Sequence, residues 1–321
     1  MTGAPARAGV ILMAYGAPAS LDDVGDFFTD IRGGRRPPEE RIEELMTRYR
    51  AIGGGQSLLR ITSEQARELQ STLDGDGGER VAVFFGMRHA KPFIRDRMPE
   101  IAAAGITRLV GLPLAPHFST LSVGAYHRKL REAAAAIDPS PEVLLVRDYH
   151  DHPKLIAALA ETLSAALAAS RRDAGGPVRV IFTAHSLPET ILKDGEPYRD
   201  QLFTTARLVA EKAGVTDSEF AFQSVSPTGE PWLGPDILSV IDRLAAEGRR
   251  EILVQPVGFV ADHLEILYDL DILCRRAAEE RGVRLRRTES LNARPAFIGA
   301  LASITRSMLA RGAGVKATSP A

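Results

Sequence analysis

Short runs of apolar residues alternate along the chain with segments in which apolar residues recur every three or four positions. The short runs are rich in Val, Ile, Leu and Phe with little polar alternation, which is typical of strands covered on both faces. They fall at residues 9–14, 80–86, 108–114, 142–148, 178–184, 219–223, 251–257 and 284–288. Helical spacing lies between them, at residues 153–170, 200–213 and 236–247. This alternation predicts an α/β fold with parallel sheets flanked by helices.

The second half of the pattern restates the first. Each half opens with an apolar strand, and each has a later strand with an internal proline, Pro113 in the first half and Pro256 in the second. We therefore predict two lobes, residues 1–150 and 151–311, and a flexible tail at residues 312–321. Residues 171–177 contain two glycines and a proline and are predicted to form a loop near the boundary.

Residues 21–75 interrupt the alternation directly after the first strand. The segment has no strand-like run and has room for about three helices. An insertion of this size between two strands is usually functional, so we expect it to form a lid or a wall of a pocket.

Composition excludes several classes of protein. The 321 residues carry a net charge of −1, which gives no electrostatic case for binding nucleic acid. No apolar stretch reaches the roughly 18 residues that a membrane span needs, and the short N-terminal run leads into a polar loop, so we expect a cytoplasmic protein without a transmembrane segment. The single cysteine, Cys274, cannot form an internal disulfide or by itself hold zinc or an iron–sulfur cluster.

Two strand ends carry the most informative side chains. The run at 178–184 stops at His185, and the run at 251–257 leads to Asp262, His263 and Glu265. Because the carboxyl ends of parallel strands form the ligand crevice of such folds, His185 and Glu265 can share one crevice. Together they could bind a divalent metal, accept protons, or both.

The neighbours of these residues refine the prediction. Ser186 and His185 are adjacent on an extended strand and point to opposite faces, which argues against a nucleophilic dyad. Asp262 is predicted to be the N-cap of the following helix. Glu265 and Asp269 lie four apart on one helical face, where like charges repel by about 0.2–0.5 kcal/mol unless a metal or a proton offsets the repulsion. The alternative is that such acids only complement the helix dipole.

Tyr15 ends the first predicted strand and therefore lies at the same rim. It either covers the strand end or supplies a phenolate that can bind ferric iron. Basic residues in the insertion, around Arg32 and Arg48, either recognise carboxylates through arginine forks or form a solvated charged face. A doubly wound oxidoreductase is disfavoured, because no Gly-x-Gly-x-x-Gly follows any predicted strand.

Several blocks of the chain resemble those of ferrochelatases, in the same order. They are residues 15–18, 48–54, 115–119, 183–188, 231–236 and 257–265. The resemblance implies two Rossmann-like, chelatase-type lobes with a porphyrin in the cleft between them. It also implies insertion of ferrous iron into the porphyrin with loss of two protons. By this resemblance His185 binds metal and accepts protons, and Glu265 is its acidic partner. Glu265 and Asp269 then form a line of carboxylates that either draws protons away or delivers metal, with Asp269 as the candidate for a second metal site.

Within that family the chain is most similar to the coproporphyrin III ferrochelatases. Tyr15 matches a tyrosine that ligates the product iron in those enzymes and that the animal and proteobacterial protoporphyrin enzymes lack. The substrate-binding positions implied by the resemblance are Tyr15, Arg32, Arg48, Tyr49, Gln56 and Tyr126. The implied partners are coproporphyrin III, ferrous iron and a downstream haem-pathway enzyme. No permanently bound cofactor and no iron–sulfur cluster are expected.

Two positions depart from the pattern of the family. Gln56 stands where the family often has a serine, which puts that contact with a propionate in doubt. Leu273 stands where some relatives have a third carboxylate, which weakens an outer metal site. Three alternatives stay open at this point: a protoporphyrin IX ferrochelatase, a cobalt or nickel chelatase, and a two-lobed protein that binds haem or another tetrapyrrole without turnover.

Overall fold

The computed structural model describes residues 7–173, 176–225 and 229–313. These residues contain eight strands and twelve α-helices. The strands are β1 (Arg7–Ala14), β2 (Val81–Met87), β3 (Ile106–Pro113), β4 (Glu142–Leu145), β5 (Val178–His185), β6 (Ser218–Gln223), β7 (Glu251–Pro256) and β8 (Arg284–Arg287). All eight predicted strands are confirmed, with ends that differ by at most a few residues.

The helices alternate with the strands as predicted. They are α1 (Val24–Ile31), α2 (Glu39–Ala51), α3 (Gln56–Gly75), α4 (Met98–Ala103), α5 (Val123–Ala135), α6 (Pro153–Asp173), α7 (Thr190–Lys193), α8 (Tyr198–Ala213), α9 (Ile237–Ala246), α10 (Leu264–Leu267), α11 (Arg275–Glu279) and α12 (Pro295–Ala313). A 3-10 helix at Ile94–Arg97 precedes α4, and a π-helix at Asp269–Cys274 lies between α10 and α11. The insertion after β1 contains α1, α2 and α3, which confirms the prediction of three helices there.

The strands form two separate parallel sheets with the same topology. Their orders are β2-β1-β3-β4 and β6-β5-β7-β8. The predicted α/β class and the restatement of the first half by the second are therefore confirmed. The strands of a parallel sheet point the same way, so their carboxyl ends lie along one side of the sheet. The residues after β1 and β3 in one sheet therefore face those after β5 and β7 in the other.

The central strands are buried on both faces, which explains their continuous apolar sequences. On β1, Val10 and Leu12 belong to one apolar cluster, whereas Ile11 and Met13 belong to another on the opposite face. The first of these clusters also contains Phe182 of β5, so a single apolar core runs through both lobes. This shared core fixes the edge of one sheet relative to the other.

The last helix departs from the predicted division into lobes. The predicted boundary places α12 in the second lobe, but this helix packs against α3 and β3 of the first lobe as well as against α6. Arg306 of α12 is paired with Asp76 (Nε to Oδ2, 2.9 Å), and Arg108 of β3 donates to the carbonyl of Leu309 (3.1 Å). Helix α12 therefore joins the two lobes.

The loop prediction at residues 171–177 is wrong for its first three residues, because α6 continues to Asp173. Residues 174 and 175 lie outside the described part of the chain. The prediction of a tail at residues 312–321 is wrong for its first two residues, because α12 continues to Ala313. Residues 314–321 lie outside the described part of the chain. None of the helices in the described ranges is both long and apolar enough to cross a membrane.

A buried histidine lies at the junction of the lobes. His117 follows β3, and its Nε2 is 2.9 Å from Oγ1 of Thr205 on α8. The Thr205 hydroxyl has one proton and lies within bonding distance of two carbonyls, those of His150 (2.8 Å) and Gln201 (3.1 Å). It therefore accepts from His117, whose Nε2 carries the proton. Burial lowers the pKa of His117 to about 3, with a smaller contribution from His150, so the ring is neutral at physiological pH.

We expect His117 to make the protein less stable in mild acid. The pKa of His117 is lower in the folded state than in the unfolded chain, so the unfolded chain takes up the proton first as the pH falls below 6.5. Stability from this group is present above pH 6.5, and about 2 kcal/mol of it is lost between pH 7 and pH 5. Urea unfolding at the two pH values measures the loss, and His117→Gln should reduce it by a comparable amount. An unchanged difference in the variant would contradict this assignment.

Candidate active site

A cleft of about 300 Å³ lies between the two sheet edges, at the carboxyl ends of the strands. Residues after β1, β3, β5 and β7 line it, together with Leu58 of the insertion helix α3. The insertion therefore forms part of a pocket wall, as predicted. The polar side chains around the cleft include Tyr15, Arg88, Tyr126, His185, His263 and Glu265.

His185 is the last residue of β5 and presents one ring nitrogen to the cleft. Its Nδ1 contacts the backbone carbonyl of Ser186, and a carbonyl can only accept, so Nδ1 carries the proton. The other ring nitrogen, Nε2, faces the cleft and lies 3.7 Å from Oε1 of Glu265. The phenol of Tyr198 donates to the carbonyl of His185 (3.0 Å) and holds the strand end in place. Ser186 donates instead to the carbonyl of Leu233, so the predicted absence of a Ser–His dyad is confirmed.

Glu265 lies between two histidines. Its Oε1 faces His185, and its Oε2 lies 3.6 Å from Nε2 of His263. Burial by itself would raise the pKa of Glu265, but the two adjacent imidazoles lower it below its usual range. The amide of Gln223, at the end of β6, donates to the backbone carbonyl of Glu265 (2.7 Å). Glu265 is thus an anion fixed in the cleft at neutral pH.

Asp269 begins the π-helix one turn after Glu265. The hydroxyl of Ser224 donates to its carboxylate, and Ser224 adopts a left-handed backbone conformation (φ 62°) that a residue other than glycine rarely adopts. Burial raises the pKa of Asp269, the Ser224 hydrogen bond opposes the rise, and the charge of Glu265 adds to it. The two carboxyls therefore differ, since Glu265 ionises more easily than usual and Asp269 less easily.

The structure brings His185, Glu265 and Asp269 to one region, as the sequence predicted. Within the described ranges, no three His, Cys, Asp or Glu side chains are close enough together to hold a metal ion on their own. The His185–Glu265 pair therefore offers one nitrogen and one carboxylate to an ion, and the remaining coordination positions are left to other groups.

Tyr15 occupies the opposite wall, between Phe27 and His89. Its ring centroid is 6.5 Å from that of Phe27 and 4.7 Å from that of His89, yet 40% of the residue stays exposed. Burial lowers the pKa of His89 to about 4 despite the carboxylate of Asp30, which is 2.7 Å from Nδ1. The neutral His89 donates to Asp30 and supports the Tyr15 ring from behind. The phenol is thereby presented to the cleft.

Tyr126 and Arg88 line the cleft next to Tyr15. Tyr126 is buried on α5, and burial raises its pKa, so the phenol is a neutral hydrogen-bond donor. The Arg88 guanidinium lies 5.8 Å from the ring centroid of Tyr15 and also 5.8 Å from that of Tyr126. Its Nη1 donates to the carbonyl of Leu121 (3.0 Å), and its Nε is buried without a partner. Within the described ranges Arg88 has no carboxylate partner, so the cation is available to an anionic ligand.

The other predicted substrate-binding residues lie outside this lining. Arg48 lies over the ring of Tyr268 (5.4 Å) beside a shallower depression along α2. Tyr49 is buried, and its ring centroid is 6.4 Å from that of Phe27. Arg32 is exposed just after α1, and Gln56 donates to the carbonyl of Ala19 (3.1 Å). All four belong to the insertion, which lines the cleft at Leu58 and packs Phe27 against Tyr15.

Comparison with known proteins identifies the family. The family model described as Ferrochelatase matches residues 7–309. The chain belongs to the ferrochelatase family. A coproporphyrin III ferrochelatase of Geobacillus kaustophilus is 42% identical to it over 92% of this chain and 94% of that protein. A coproporphyrin III ferrochelatase of Bacillus subtilis is 38% identical over 95% and 99%, and a ferrochelatase of Herpetosiphon aurantiacus is 41% identical over 93% and 98%.

Solved structures of chelatases share the two-lobed fold of this ferrochelatase. SirB from Bacillus subtilis with Fe3+ superposes with a TM-score of 0.58 at 12% identity and covers 96% of this chain and 98% of that chain. CbiX, described as the terminal enzyme of sirohaem biosynthesis in denitrifying bacteria, has a TM-score of 0.51 at 14% identity over 96% and 100%. The predicted chelatase-type architecture is therefore confirmed at the level of the fold.

Several polar residues of the ferrochelatase cleft were not predicted as site residues, among them His263 and Arg88. His263 was visible in the sequence beside Glu265, but its place in a first helical turn gave no sign that it faces Oε2 of Glu265. Arg88 follows β2 directly, and its position after a strand was the available signal. The predicted capping role of Asp262 is wrong. His263 holds the N-cap position of α10, and the Asp262 carboxylate accepts from Ser290 (2.7 Å) instead.

Proposed function

We propose that this ferrochelatase inserts ferrous iron into coproporphyrin III. The observation that carries the proposal is the distance of 3.7 Å between Nε2 of His185 and Oε1 of Glu265, in a cleft whose other wall presents Tyr15. The curated relatives named above support the choice of porphyrin, since two of them act on coproporphyrin III according to their names.

The chemistry requires one metal to enter and two protons to leave. As Fe2+ bonds to the four ring nitrogens, the two N–H protons of the porphyrin must pass to protein or water. We propose that Nε2 of His185 takes one of them and that the anionic Glu265 attracts the metal and shares in removing protons. Asp269 is more basic than an ordinary carboxyl group and is the next acceptor along the chain, or the second metal ligand.

Tyr15 is proposed to ligate the iron of the product. Its phenol faces the cleft from the wall opposite His185, and phenolate is an established ligand of haem iron. A tyrosine at this position favours a coproporphyrin enzyme over a protoporphyrin enzyme by the family resemblance.

Recognition of the propionates is proposed to involve the insertion. Coproporphyrin III has four propionates, and a carboxylate pairs best with an arginine fork or a phenol donor. Arg88 and Tyr126 lie in the cleft itself. Arg32 and Arg48 lie farther out on the insertion, where propionates at the edge of the ring would extend, with Tyr49 and Gln56 as neighbouring donors.

We further propose that the enzyme works without a resident cofactor in the cytoplasm and passes its product to a later haem-pathway enzyme. Iron is then a substrate. The only cysteine of the sequence, Cys274, is buried, and burial raises its pKa to about 12, so it is not poised as a thiolate ligand.

The experiment that tests the function uses purified protein, ferrous iron and a porphyrin without oxygen. With coproporphyrin III we expect the absorption spectrum of an iron porphyrin to develop, and with protoporphyrin IX we expect at least about tenfold slower turnover, because two propionates and their contacts are missing. Equal rates would favour a protoporphyrin enzyme. Binding of either porphyrin without metal insertion would favour a tetrapyrrole carrier, and preferential insertion of cobalt or nickel into another tetrapyrrole would favour the third alternative.

A further inference from the structure

The catalytic segment is flanked by two aspartates that share one arginine. We define the catalytic segment as residues 263–270, which include His263, Glu265 and Asp269. Asp262 precedes it and Asp271 follows it. Arg287 donates from Nε and Nη2 to the two carboxylate oxygens of Asp271, both at 2.8 Å, and its Nη2 is also 3.1 Å from Oδ1 of Asp262. One guanidinium therefore fastens both ends of the segment.

The contacts of Arg287 are well shielded. Its side chain is 12% exposed, and those of Asp262 and Asp271 are each 23% exposed. A bidentate arginine–carboxylate pair fixes direction as well as distance, which a lysine cannot do. Arg287 is also the last residue of β8 and pairs with Val254 of β7, so the sheet holds its backbone.

A second set of bonds fixes the first end of the segment. The carboxylate of Asp262 accepts from Ser290 (2.7 Å) and from Nδ2 of Asn292 (2.9 Å), and the amide of Asp262 donates to Oδ1 of Asn292 (2.9 Å). The carbonyl of Asn292 accepts from Gln65 of α3 (2.9 Å). Asp262 is therefore tied to the insertion through Asn292, as well as to Arg287.

Asp271, at the other end of the catalytic segment, lies where the helix is least regular. Helix α10 has four residues, and the chain then widens into the π-helix that contains Asp269 and Asp271. A π turn is rare and less stable than an α turn, so it needs contacts from outside the helix. Because Asp271 lies inside the π-helix, its bidentate bond to Arg287 supplies such a contact.

We propose that Arg287 is a positioning residue for iron insertion, which it supports by holding the catalytic segment so that Glu265 faces His185. This inference rests on the proposed function, since it assumes that Glu265 acts on the metal and the porphyrin protons. Arg287 itself does not line the cleft. Its contribution is therefore made through the geometry of Glu265 and Asp269.

The test compares Arg287→Met with Arg287→Lys and with the control Arg286→Met. Arg286 is the preceding residue of β8 and pairs with Asp173 (3.1 Å), not with Asp262 or Asp271. For Arg287→Met we expect kcat to fall about tenfold or more and the KM for ferrous iron to rise, while the KM for coproporphyrin III stays within about twofold. Arg287→Lys should recover part of the loss, and Arg286→Met should behave as wild type. A loss of folded protein alone would lower kcat and leave both KM values unchanged, and this result would overturn the proposal.

A double-mutant cycle with Glu265→Asp shows through which residue Arg287 acts. The shorter carboxylate is already displaced, so we expect Arg287→Met to cost less than about twofold in that background. A full, additive loss would overturn the proposal.

Should Arg287→Met not fold, Asp271→Asn is the alternative variant. It removes the carboxylate at one end of the catalytic segment and keeps the Arg287 guanidinium. An unchanged kcat in that variant would also overturn the proposal. If Glu265→Asp is as active as wild type, the proposed role of Glu265 fails, and this outcome is independent of the response to Arg287→Met.

Discussion

Replacement of Glu265 by glutamine is expected to lower the rate of iron insertion by at least about 100-fold. Glutamine keeps the size of the side chain and removes both the negative charge and the capacity to take a proton. The charge lies between His185 (3.7 Å) and His263 (3.6 Å), where, by the proposed function, it attracts the incoming cation and shares in removing the porphyrin protons. Anaerobic assays with ferrous iron and coproporphyrin III measure the rate, and fluorescence of the bound porphyrin measures its affinity.

The affinity for coproporphyrin III should change by less than about threefold in Glu265→Gln, because the residue acts on the metal and the ring protons. Glu211→Gln provides the control. Glu211 lies on α8 in an exposed pair with Arg207, so this variant should match wild type in both assays. Wild-type turnover in Glu265→Gln would remove Glu265 from the mechanism and leave His185 as the principal acceptor.

The second large effect is expected at Gly258, which directly follows Val257 after the end of β7. Its amide donates to the carbonyl of Thr183 on β5 (3.1 Å). A Cβ at this position would lie 2.5 Å from Cβ and 2.8 Å from Cα of Ala184, the residue before His185. Because Cα of Ala184 is a backbone atom, the clash is relieved only if the end of β5 or the backbone at Gly258 moves. We expect Gly258→Ala to destabilise the protein by about 3 kcal/mol and to displace His185 from Glu265.

Urea unfolding measures the loss of stability, and the iron-insertion assay measures the displacement. Gly299→Ala is the matched control. Gly299 lies within α12 and has no heavy atom within 4 Å of a built Cβ, so alanine should be neutral or stabilise the helix by up to about 1 kcal/mol. If Gly258→Ala were as stable and as active as wild type, the close approach of the two strand ends would not determine the position of His185.

Glu265 and Asp269 show how the surroundings of a carboxyl group set its pKa. The two carboxyls lie one turn apart, yet adjacent histidines lower the pKa of Glu265, whereas burial raises that of Asp269. Enzymes that move protons near neutral pH commonly pair two groups of this kind. Here one carboxyl is suited to binding a cation and the other to receiving a proton.

Several features were predictable because they depend on local pattern. Continuous apolar runs marked all eight strands, since strands buried on both faces have no polar side. His185 and Glu265 were predictable as partners, because the ends of parallel strands meet at one edge of a sheet. The same reasoning placed Tyr15 at the rim. Arg88 fits the rule as well, since it follows β2 directly, but a single arginine after a strand gave no reason to select it.

Other features depend on contacts between distant parts of the chain, and only the tertiary structure decided them. Asp262 had the local pattern of a helix cap, but the Arg287 guanidinium and Ser290, more than twenty positions away, provide stronger partners for its carboxylate. The return of α12 to the first lobe likewise depends on packing against α3, which no local signal encodes.

The sequence by itself therefore determined the class of fold, the two halves and the residues at the strand ends, because these follow from the periodicity of side chains along each element. The folded chain decided which ends face each other, that Glu265 lies between two histidines, and that Arg287 fastens the segment that carries it. Distances between side chains far apart in the chain are set by how the elements pack, and packing is a property of the whole core.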